Sequence, residues 1–395
     1  MPEAVIVDVV RTPGGKRNGK LSGWHPADLA AQTLRALVER NDLDPAMVDD
    51  VIMGCVMQIG GQALNVGRNA VLAANFPESV PATTIDRQCG SSQQSVHFAA
   101  QGVMAGAYDV VIAAGVEVMS LVPMGATMFA PNTGVPFGPT VMARYPLVPQ
   151  GISAEMMCDR WGLSRTDLDT FGAQSQQRAA RATSEGRFER EIIPVAVKVR
   201  DRESGQLIEP DEMLTRDEGI RPGTTVETLA TLKPAFKPDG GRVTAGNSSQ
   251  ITDGASAALI MSEERASDLG LTPRARFHSF ALAGVDPVLM LSGPIPATAK
   301  ALERAKLSLD DIDLIEINEA FASVVLAWEK ELHADMSRVN VNGGAIALGH
   351  PLGASGTKLL ATLLNELERR GGRYGLQTMC EGGGLANAMI IERLG

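Results

Sequence analysis

The sequence predicts an α/β protein built as two similar halves around a middle segment of different character. Three observations lead there. Strand-like and helix-like hydrophobic patterns alternate along most of the chain, the mark of sheets covered by helices. A succession of helix, short buried strand, glycine-rich loop and helix occurs twice. Between the two occurrences, over roughly 120–250, Pro, Gly, Met and charged residues interrupt that rhythm.

The opening residues from Met1 to Asp8 run directly into a strand, β-branched over 5–10. Pro26 to Arg40 has Ala30, Leu34, Leu37 and Val38 at helical spacing, so it predicts an amphipathic helix. Val51-Ile52-Met53 is a short buried strand, Gly90 to Gly106 a helix, and Asp109 to Ala114 a second buried strand. Leu168 to Arg187 reads as a charged helix within the middle segment. Further on, Ala297 to Lys306 is a helix, Asp313 to Asn318 a strand, and Ser355 to Arg370 a helix stopped by Gly371-Gly372. Asp49-Asp50-Val51-Ile52-Met53 and Asp311-Ile312-Asp313-Leu314-Ile315 are paired as the repeated helix-to-strand junction. The expected organisation is an N-terminal half over 1–120, an inserted segment covering the core over 121–250, and a C-terminal half over 251–395.

Composition narrows the function. With 36 basic against 46 acidic residues the net charge is −10, which disfavours nucleic acid as a general partner. Cys55, Cys89, Cys158 and Cys380 lie far apart with no C-x-x-C pair, and the five histidines form no H-E-x-x-H, so no metal site is expected. Free thiols suit a reducing compartment. The start lacks a signal peptide, no apolar run is long enough for a membrane span, and the C-terminus is not a peroxisomal address, so a cytoplasmic location is expected. Gly14 to Lys20 nearly matches a phosphate-binding loop but ends on Leu21, which cannot ligand magnesium, and reads as a glycine turn. Neither a G-x-G-x-x-G after a strand nor a G-x-S-x-G elbow occurs. Arg200, Arg202, Arg216, Arg221, Lys233, Lys237 and Arg242 in the insertion are candidates to meet a phosphorylated ligand, or equally a solvated face.

Three segments set a reactive side chain among small residues. In Asp86-Arg87-Gln88-Cys89-Gly90-Ser91-Ser92-Gln93 a thiol stands at the start of a helix, where amides and the macrodipole favour thiolate. Taken alone, a Cys such as Cys89 is more often a small buried residue, but the neighbouring Gly and Ser leave room for a ligand. In the run from Asn342 to Gly356, five glycines surround His350 ahead of a helix, joining close backbone approach to a base suited to neutral pH. Cys380-Glu381-Gly382-Gly383-Gly384 sets a second thiol beside backbone amides, the material of an oxyanion hole. Asn318-Glu319-Ala320-Phe321 adds polar groups at a strand end, where α/β folds place their sites.

These blocks, CGSS from Cys89, NEAF at 318–321, GGAIALGHPLGASG at 343–356 and CEGGG at 380–384, resemble the four signature blocks of the thiolase family, in family order and spacing. The similarity runs from the opening VRTP strand to the last residues. The resemblance implies a duplicated βαβαβαββ core layered α-β-α-β-α with an inserted loop domain binding coenzyme A. No cofactor is held permanently; coenzyme A is a co-substrate alongside a 3-ketoacyl-CoA. The chemistry implied is ping-pong thiolytic cleavage or its reverse condensation, in fatty acid β-oxidation or steroid degradation, by a homotetramer or dimer. By the same resemblance Cys89 is the acylated nucleophile, His350 its activating base and an oxyanion donor, and Asn318 the holder of a water completing that hole. Cys380 is the acid/base at carbon, and the Cys89 and Gly382 amides form a second hole. Ala245 and Ser249 match pantetheine contacts, Arg221 a nucleotide contact, and Phe321 a pocket wall.

Two departures from acetoacetyl-CoA-forming thiolases point to degradation of a bulkier substrate. Pro149-Gln150-Gly151 stands where those carry His-Met-Gly, and DRQCGSSQQ is closer to degradative thiolases, including actinobacterial steroid-degrading ones. The competing readings are an acetoacetyl-CoA-forming thiolase, a ketoacyl synthase, which would carry His or Asn where Cys380 stands, and a catalytically silent thiolase-like lipid or coenzyme A carrier.

Overall fold

The computed structural model describes residues 2–132, 134–201 and 203–395. Met1, Thr133 and Arg202, the last one of the basic candidates above, lie outside the described residues.

Most of the N-terminal half reads off its hydrophobic periodicity. Strand β1 is Ala4–Arg11, followed by the two-residue β2 at Gly15–Lys16. Helix α1, Pro26–Arg40, starts where His25 accepts from the Ala27 amide and Pro26 takes the first turn, which needs no N–H there. Then come β3 (Asp50–Gly54), α2 (Val66–Ala73), β4 (Ala82–Ile85), α3 (Ser91–Met104) and β5 (Val110–Val118).

The insertion contributes α4 (Pro139–Arg144), α5 (Gln150–Trp161), α6 (Arg165–Ser184) and α7 (Val226–Ala230). Its short strands β6 (Val195–Ala196), β7 (Val199–Arg200), β8 (Leu207–Ile208) and β9 (Met213–Leu214) pair only with one another. The chain returns to the core through β10 (Thr252–Ser262) and α8 (Glu263–Asp268). The C-terminal half is β11 (Ala275–Gly284), α9 (Pro294–Ala305), β12 (Leu314–Ile317), α10 (Ala322–Leu332), α11 (Ala345–Leu348), α12 (Ser355–Arg370), β13 (Tyr374–Glu381) and β14 (Leu385–Arg393). Gly371, at φ +68°, ends α12 as a left-handed cap.

Among the described residues ten strands form one sheet in the order β12-β13-β14-β11-β1-β10-β5-β3-β4, with β2 on β10. The halves meet at β1 and β11 through only two residue pairs, Val5 with Arg276 and Ile6 with Ala275. Three apolar clusters define the layers. One packs α1 and α2 on the N-terminal strands, another packs α9 and α10 on the C-terminal strands, and the third fills the space between, around α3 and α12. The result is α-β-α-β-α. The two central helices touch so closely that a β-carbon on Gly356 would come within 2.0 Å of the Gln93 amide nitrogen, and Thr357 N–H donates to Ser92 Oγ at 3.0 Å.

The duplication is visible atom by atom. Asp49 accepts from the Asp109 and Val110 amides at 2.7 and 2.9 Å, and Asp313 accepts from the Arg373 and Tyr374 amides at the same two distances. Ser256 Oγ donates to the Ala354 carbonyl just before α12, and Asn387 Nδ2 to the Gly90 carbonyl just before α3. A register break between Ile6 and Asp8 recurs between Phe277 and Ser279. These pairs correct the alignment read from sequence: Asp49 corresponds to Asp313, not Asp311. The carboxylate that ties β3 to β5, or β12 to β13, sits one residue before each strand, and the acidic Asp311 merely caps the preceding turn. No described helix is long and apolar enough to cross a membrane.

Candidate active site

Cys89 sits in a sharp turn between β4 and α3. Gln88, just before it, holds φ +48°, a left-handed conformation that non-glycine residues rarely adopt without a reason. Asp86 Oδ1 fixes it, accepting from the Gln88 amide at 2.6 Å. The Gly90 and Ser91 amides are used within the turn, donating to the Arg87 and Gln88 carbonyls at 3.1 and 3.0 Å.

That usage overturns one expectation. The helix start was to favour thiolate, yet burial and the neighbouring Glu381 push the Cys89 thiol up to about 12. Cys89 is only 6% exposed, and the first helical amides point back into the turn. The groups that pull the thiol down are its own amide, the Gly382 amide and the Gln150 side chain. Cys380, on β13, is completely buried and close enough that charge on Cys89 opposes its ionisation. The two sequence-distant thiols are therefore neighbours. Gln93 and Asn387 lash the Cys89 helix to β13 and β14 by donating to the Gln377 and Gly90 carbonyls.

His350 enters from the glycine-rich run before α12. Its Nδ1 lies 2.5 Å from Ser355 Oγ, and that hydroxyl donates to the Pro351 carbonyl at 3.1 Å. With the serine proton committed, Nδ1 carries the imidazole proton and Nε2 keeps its lone pair. Nε2 faces Asn318 Nδ2 at 3.4 Å. Burial, reinforced by Lys358, lowers His350 to about 3, so the imidazole is neutral. Lys358, itself buried, donates to the Leu348 and Gly349 carbonyls at 2.9 and 2.8 Å and holds the histidine loop in place. At neutral pH the resting pair is thiol and neutral imidazole, not an ion pair.

A cavity of about 800 Å³ opens onto Cys89 and His350. Ala245, Ser249, Phe321 and Arg221, all singled out in the sequence, line it. Asn318, Cys380 and Gly382 lie behind this lining, against the residues that form it. The Ser249 amide donates to the Ala320 carbonyl at 3.0 Å, and Phe236 packs edge-on against Phe321 at 6.0 Å between ring centres.

Of the described basic residues proposed in the insertion, only Arg221 lines this cavity. Arg242 is bound to Glu155 and Asp159, and Arg216 lines a separate cleft. The other cations at the main cavity, Lys16 and Arg17, come from the glycine turn after β1. Sequence reading missed them because the turn was tested only as a magnesium-phosphate loop. It also missed Glu319, whose carboxylate accepts from Ser175, Asn340 and the Ile346 amide and clamps the NEAF segment to the histidine loop. Gln150, noted only as a departure, lines the cavity and reaches the Cys89 sulfur.

Comparison with known proteins agrees with this arrangement over the whole chain. Residues 4–264 match the model of the thiolase N-terminal domain and 271–393 that of the thiolase C-terminal domain. The chain is 51% identical over 404 residues to the steroid 3-ketoacyl-CoA thiolase FadA6 of Mycobacterium tuberculosis, covering 100% of this chain and 95% of that protein. It is 45% identical over 394 residues to a 3-ketoacyl-CoA thiolase of Bacillus subtilis, covering 99% and 100%. Among solved structures, the acetyl-CoA acetyltransferase of Bacillus anthracis matches with a TM-score of 0.89 at 39% identity, over 100% of this chain and 99% of that one.

Proposed function

The chain belongs to the thiolase family, and on that footing we propose that it cleaves 3-ketoacyl-CoA thioesters with coenzyme A, passing through an acyl group on Cys89. The observation that carries this reading is the pairing of two buried thiols with one neutral imidazole at the end of a single large cavity.

The steps follow from the residues. His350 Nε2 takes the Cys89 proton as the sulfur attacks the 3-keto carbon, a transfer driven by bond formation because neither group is ionised beforehand. The carbon–carbon bond between C2 and C3 breaks. The electron pair left on C2 takes the Cys380 proton, releasing acetyl-CoA, or propionyl-CoA from a branched chain, and leaving acyl-Cys89. Incoming coenzyme A gives its thiol proton to the Cys380 thiolate left by the first half-reaction and attacks the acyl carbon, and Cys89 departs, taking back the proton held on His350, as the shortened acyl-CoA forms. His350 with Asn318 serves the oxygen in one half-reaction, and the amides of Cys89 and Gly382 serve it in the other. Cys380 suits proton donation because burial and the adjacent thiol hold it protonated.

Coenzyme A fits the arm of the cavity lined by Ala245, Ser249 and Phe321. Arg221, Lys16 and Arg17 supply positive charge for its phosphates, and the lining includes no carboxylate. This reading assigns coenzyme A binding to the 121–250 insertion together with the glycine turn after β1. On the acyl side, Met119, Met124, Ile251 and Leu352 offer an apolar, deformable wall beyond Cys89. That wall supports a substrate bulkier than acetoacetyl-CoA, and the likeness to a steroid 3-ketoacyl-CoA thiolase supports a steroid-derived one. Exposed apolar side chains at Phe129, Val135 and Phe137 support self-association into a dimer or tetramer, testable by light scattering.

A panel of 3-ketoacyl-CoA thioesters, linear and ring-bearing, mixed with coenzyme A tests the proposal. The expected result is consumption of the bulkier thioesters with kcat/KM above that for acetoacetyl-CoA. A preference for acetoacetyl-CoA returns the acetoacetyl-forming reading, and no consumption of any of them returns the silent carrier.

A further inference from the structure

The duplication puts a carboxylate at the same place in each half. Glu117 near the end of β5 and Glu381 at the end of β13 are counterparts, as Ser91 and Ser355 are at the starts of α3 and α12. Glu117 is fully satisfied. It accepts from the Val56 amide at 3.0 Å, the Met57 amide at 3.1 Å and Gln62 Nε2 at 2.6 Å, and across the halves from the Gly353 amide at 2.9 Å. Gly353 is the counterpart of Cys89. Literal repetition would therefore set Glu381 on the amide of the nucleophile.

It does not sit there. Both Glu381 oxygens are buried without any hydrogen-bond partner, and the residue has no exposed surface. The carboxyl lies instead against Gly90, where a β-carbon would come within 2.0 Å of Oε1. A side chain at 90 would make this carboxyl shift, whereas the counterpart of Gly90 is Ala354. The amide that Glu117 occupies in one half is free of a carboxylate in the other.

We propose that Glu381 is a positioning residue, kept as a neutral carboxylic acid beneath the nucleophile's turn and withdrawn from the Cys89 amide, so that this amide stays open to the substrate oxygen, and that ionising Glu381 shuts the site down. The idea rests on the thiolase reading for the oxygen's identity, but not for the carboxyl's protonation.

An unsolvated carboxylate with no donor is costly, and the cost falls on the charged form. Burial accordingly raises Glu381 to about 8, with Arg87 pulling it down and Asp86 pushing it up. The charged or titratable groups that bear on it are Asp86, Arg87 and Cys89 of the turn and Cys380 of its own strand; β14 contributes only the neutral Asn387. Its negative charge raises both thiols. Ionisation thus opposes formation of the Cys89 thiolate when rising pH would otherwise favour it.

The test is Glu381→Gln, which keeps the shape and cannot ionise, with thiolysis followed from about pH 7 to 9. The ratio of kcat/KM at the upper pH to that at the lower should rise about tenfold over the wild type, since one pH unit past an ionisation costs a factor of ten. Alkylation of Cys89 by iodoacetamide should show the same relief. Coincident wild-type and variant profiles in both assays would overturn the proposal. Should the variant not fold, infrared spectroscopy of the wild-type protein decides. A buried protonated-carboxyl band present near neutrality and lost above about pH 8 supports the idea, and its absence near neutrality ends it. The alkylation and infrared readings stand even if no ketoacyl thioester is consumed, so failure of the thiolase reading remains distinguishable.

Discussion

The turns that lead into α3 and α12 hold the same place in the two halves, and one residue type separates what they do. In the first, the Arg87 amide donates to Ser91 Oγ at 2.9 Å, and that hydroxyl donates to the Gln88 carbonyl. The serine is consumed by the turn. In the second, the residue corresponding to Arg87 is Pro351, which has no N–H. Ser355 Oγ is thereby left with a free lone pair, and His350 Nδ1 takes it. In the mechanism proposed above, a duplicated scaffold yields a base in one half because a proline removes a competing donor, and a nucleophile in the other because a carboxyl sits away from an amide. Small losses of local hydrogen bonding, not new elements, separate the two turns from literal repetition.

If the halves divide the chemistry in this way, the largest effects come from the two thiols and must differ in kind. Cys89→Ala should reduce thiolysis by about 10³-fold or more and abolish acyl-enzyme, read as a mass increase after incubation with an acyl-CoA. Cys380→Ala should fall by a similar factor, within the range of about 10² to 10⁴ typical of proton-transfer groups, while still accepting an acyl group on Cys89. Its deficit should appear in exchange of the α-protons of acetyl-CoA with deuterated water. Equal loss of acylation in both variants would contradict the division of roles.

Glu117 sharpens the comparison from the stability side. Four nitrogen donors converge on its carboxylate, three of them backbone amides. Glu117→Gln replaces an acceptor with a donor and orphans at least one buried N–H, a cost of about 2–3 kcal/mol. A lower urea midpoint is expected, with kcat per folded molecule little changed. Glu381→Gln, by contrast, gives up no hydrogen bond. The sign of its pH dependence follows from the raised carboxyl. Folding favours the protonated form, so its contribution is fully present below the ordinary value of 4.5 and is lost as pH rises toward about 8. The Gln variant should therefore gain on the wild type in urea midpoint across that interval.

Much of this architecture could be read in the sequence, and the parts that could not share a cause. Helices α1 and α12 begin and end where capping and periodicity place them, because proline, glycine and an apolar stripe encode those limits locally. The four blocks that the structure gathers around Cys89 and His350 were legible because small residues around a Cys, His or Asn are costly unless a ligand needs the space. The supporting groups were hidden. Glu117, Glu319, Ser355 and Lys358 act through partners outside their own elements, for Glu117 in the opposite half, and nothing in their neighbours announces those partners. The direction of the Cys89 shift failed for the same reason. The helix start is local, but the burial and the Glu381 charge that outweigh it are not. Misaligning Asp311 with Asp49 was a different failure, since two acidic residues two positions apart differ only in which one faces the next strand.

Ser355→Ala measures how much the imidazole owes to its partner. Without the hydroxyl, Nδ1 has no acceptor, and the ring is free to turn or exchange tautomers, putting the proton on the nitrogen that must accept one. A fall in kcat of about tenfold is expected with little change in KM for coenzyme A, because Ser355 itself is not part of the cavity lining. An unchanged kcat would show that Asn318 alone fixes the ring.

Pro351→Ala is the subtlest change and the most direct test of the comparison. It returns an N–H to the position where Arg87 carries one, leaving every side chain that lines the cavity in place. If the new amide claims Ser355 Oγ as the Arg87 amide claims Ser91, the hydroxyl must serve two donors and the histidine bond weakens. A decrease in kcat of about threefold is expected, of the order of 0.7 kcal/mol, about half the effect of deleting the hydroxyl. The double variant with Ser355→Ala settles the cause. Proline removal acting through Ser355 adds nothing once the hydroxyl is gone, so the coupling energy equals the whole single effect. Additive losses would instead trace the proline's value to the rigidity of its φ, and the likeness between the two turns would then be one of shape alone.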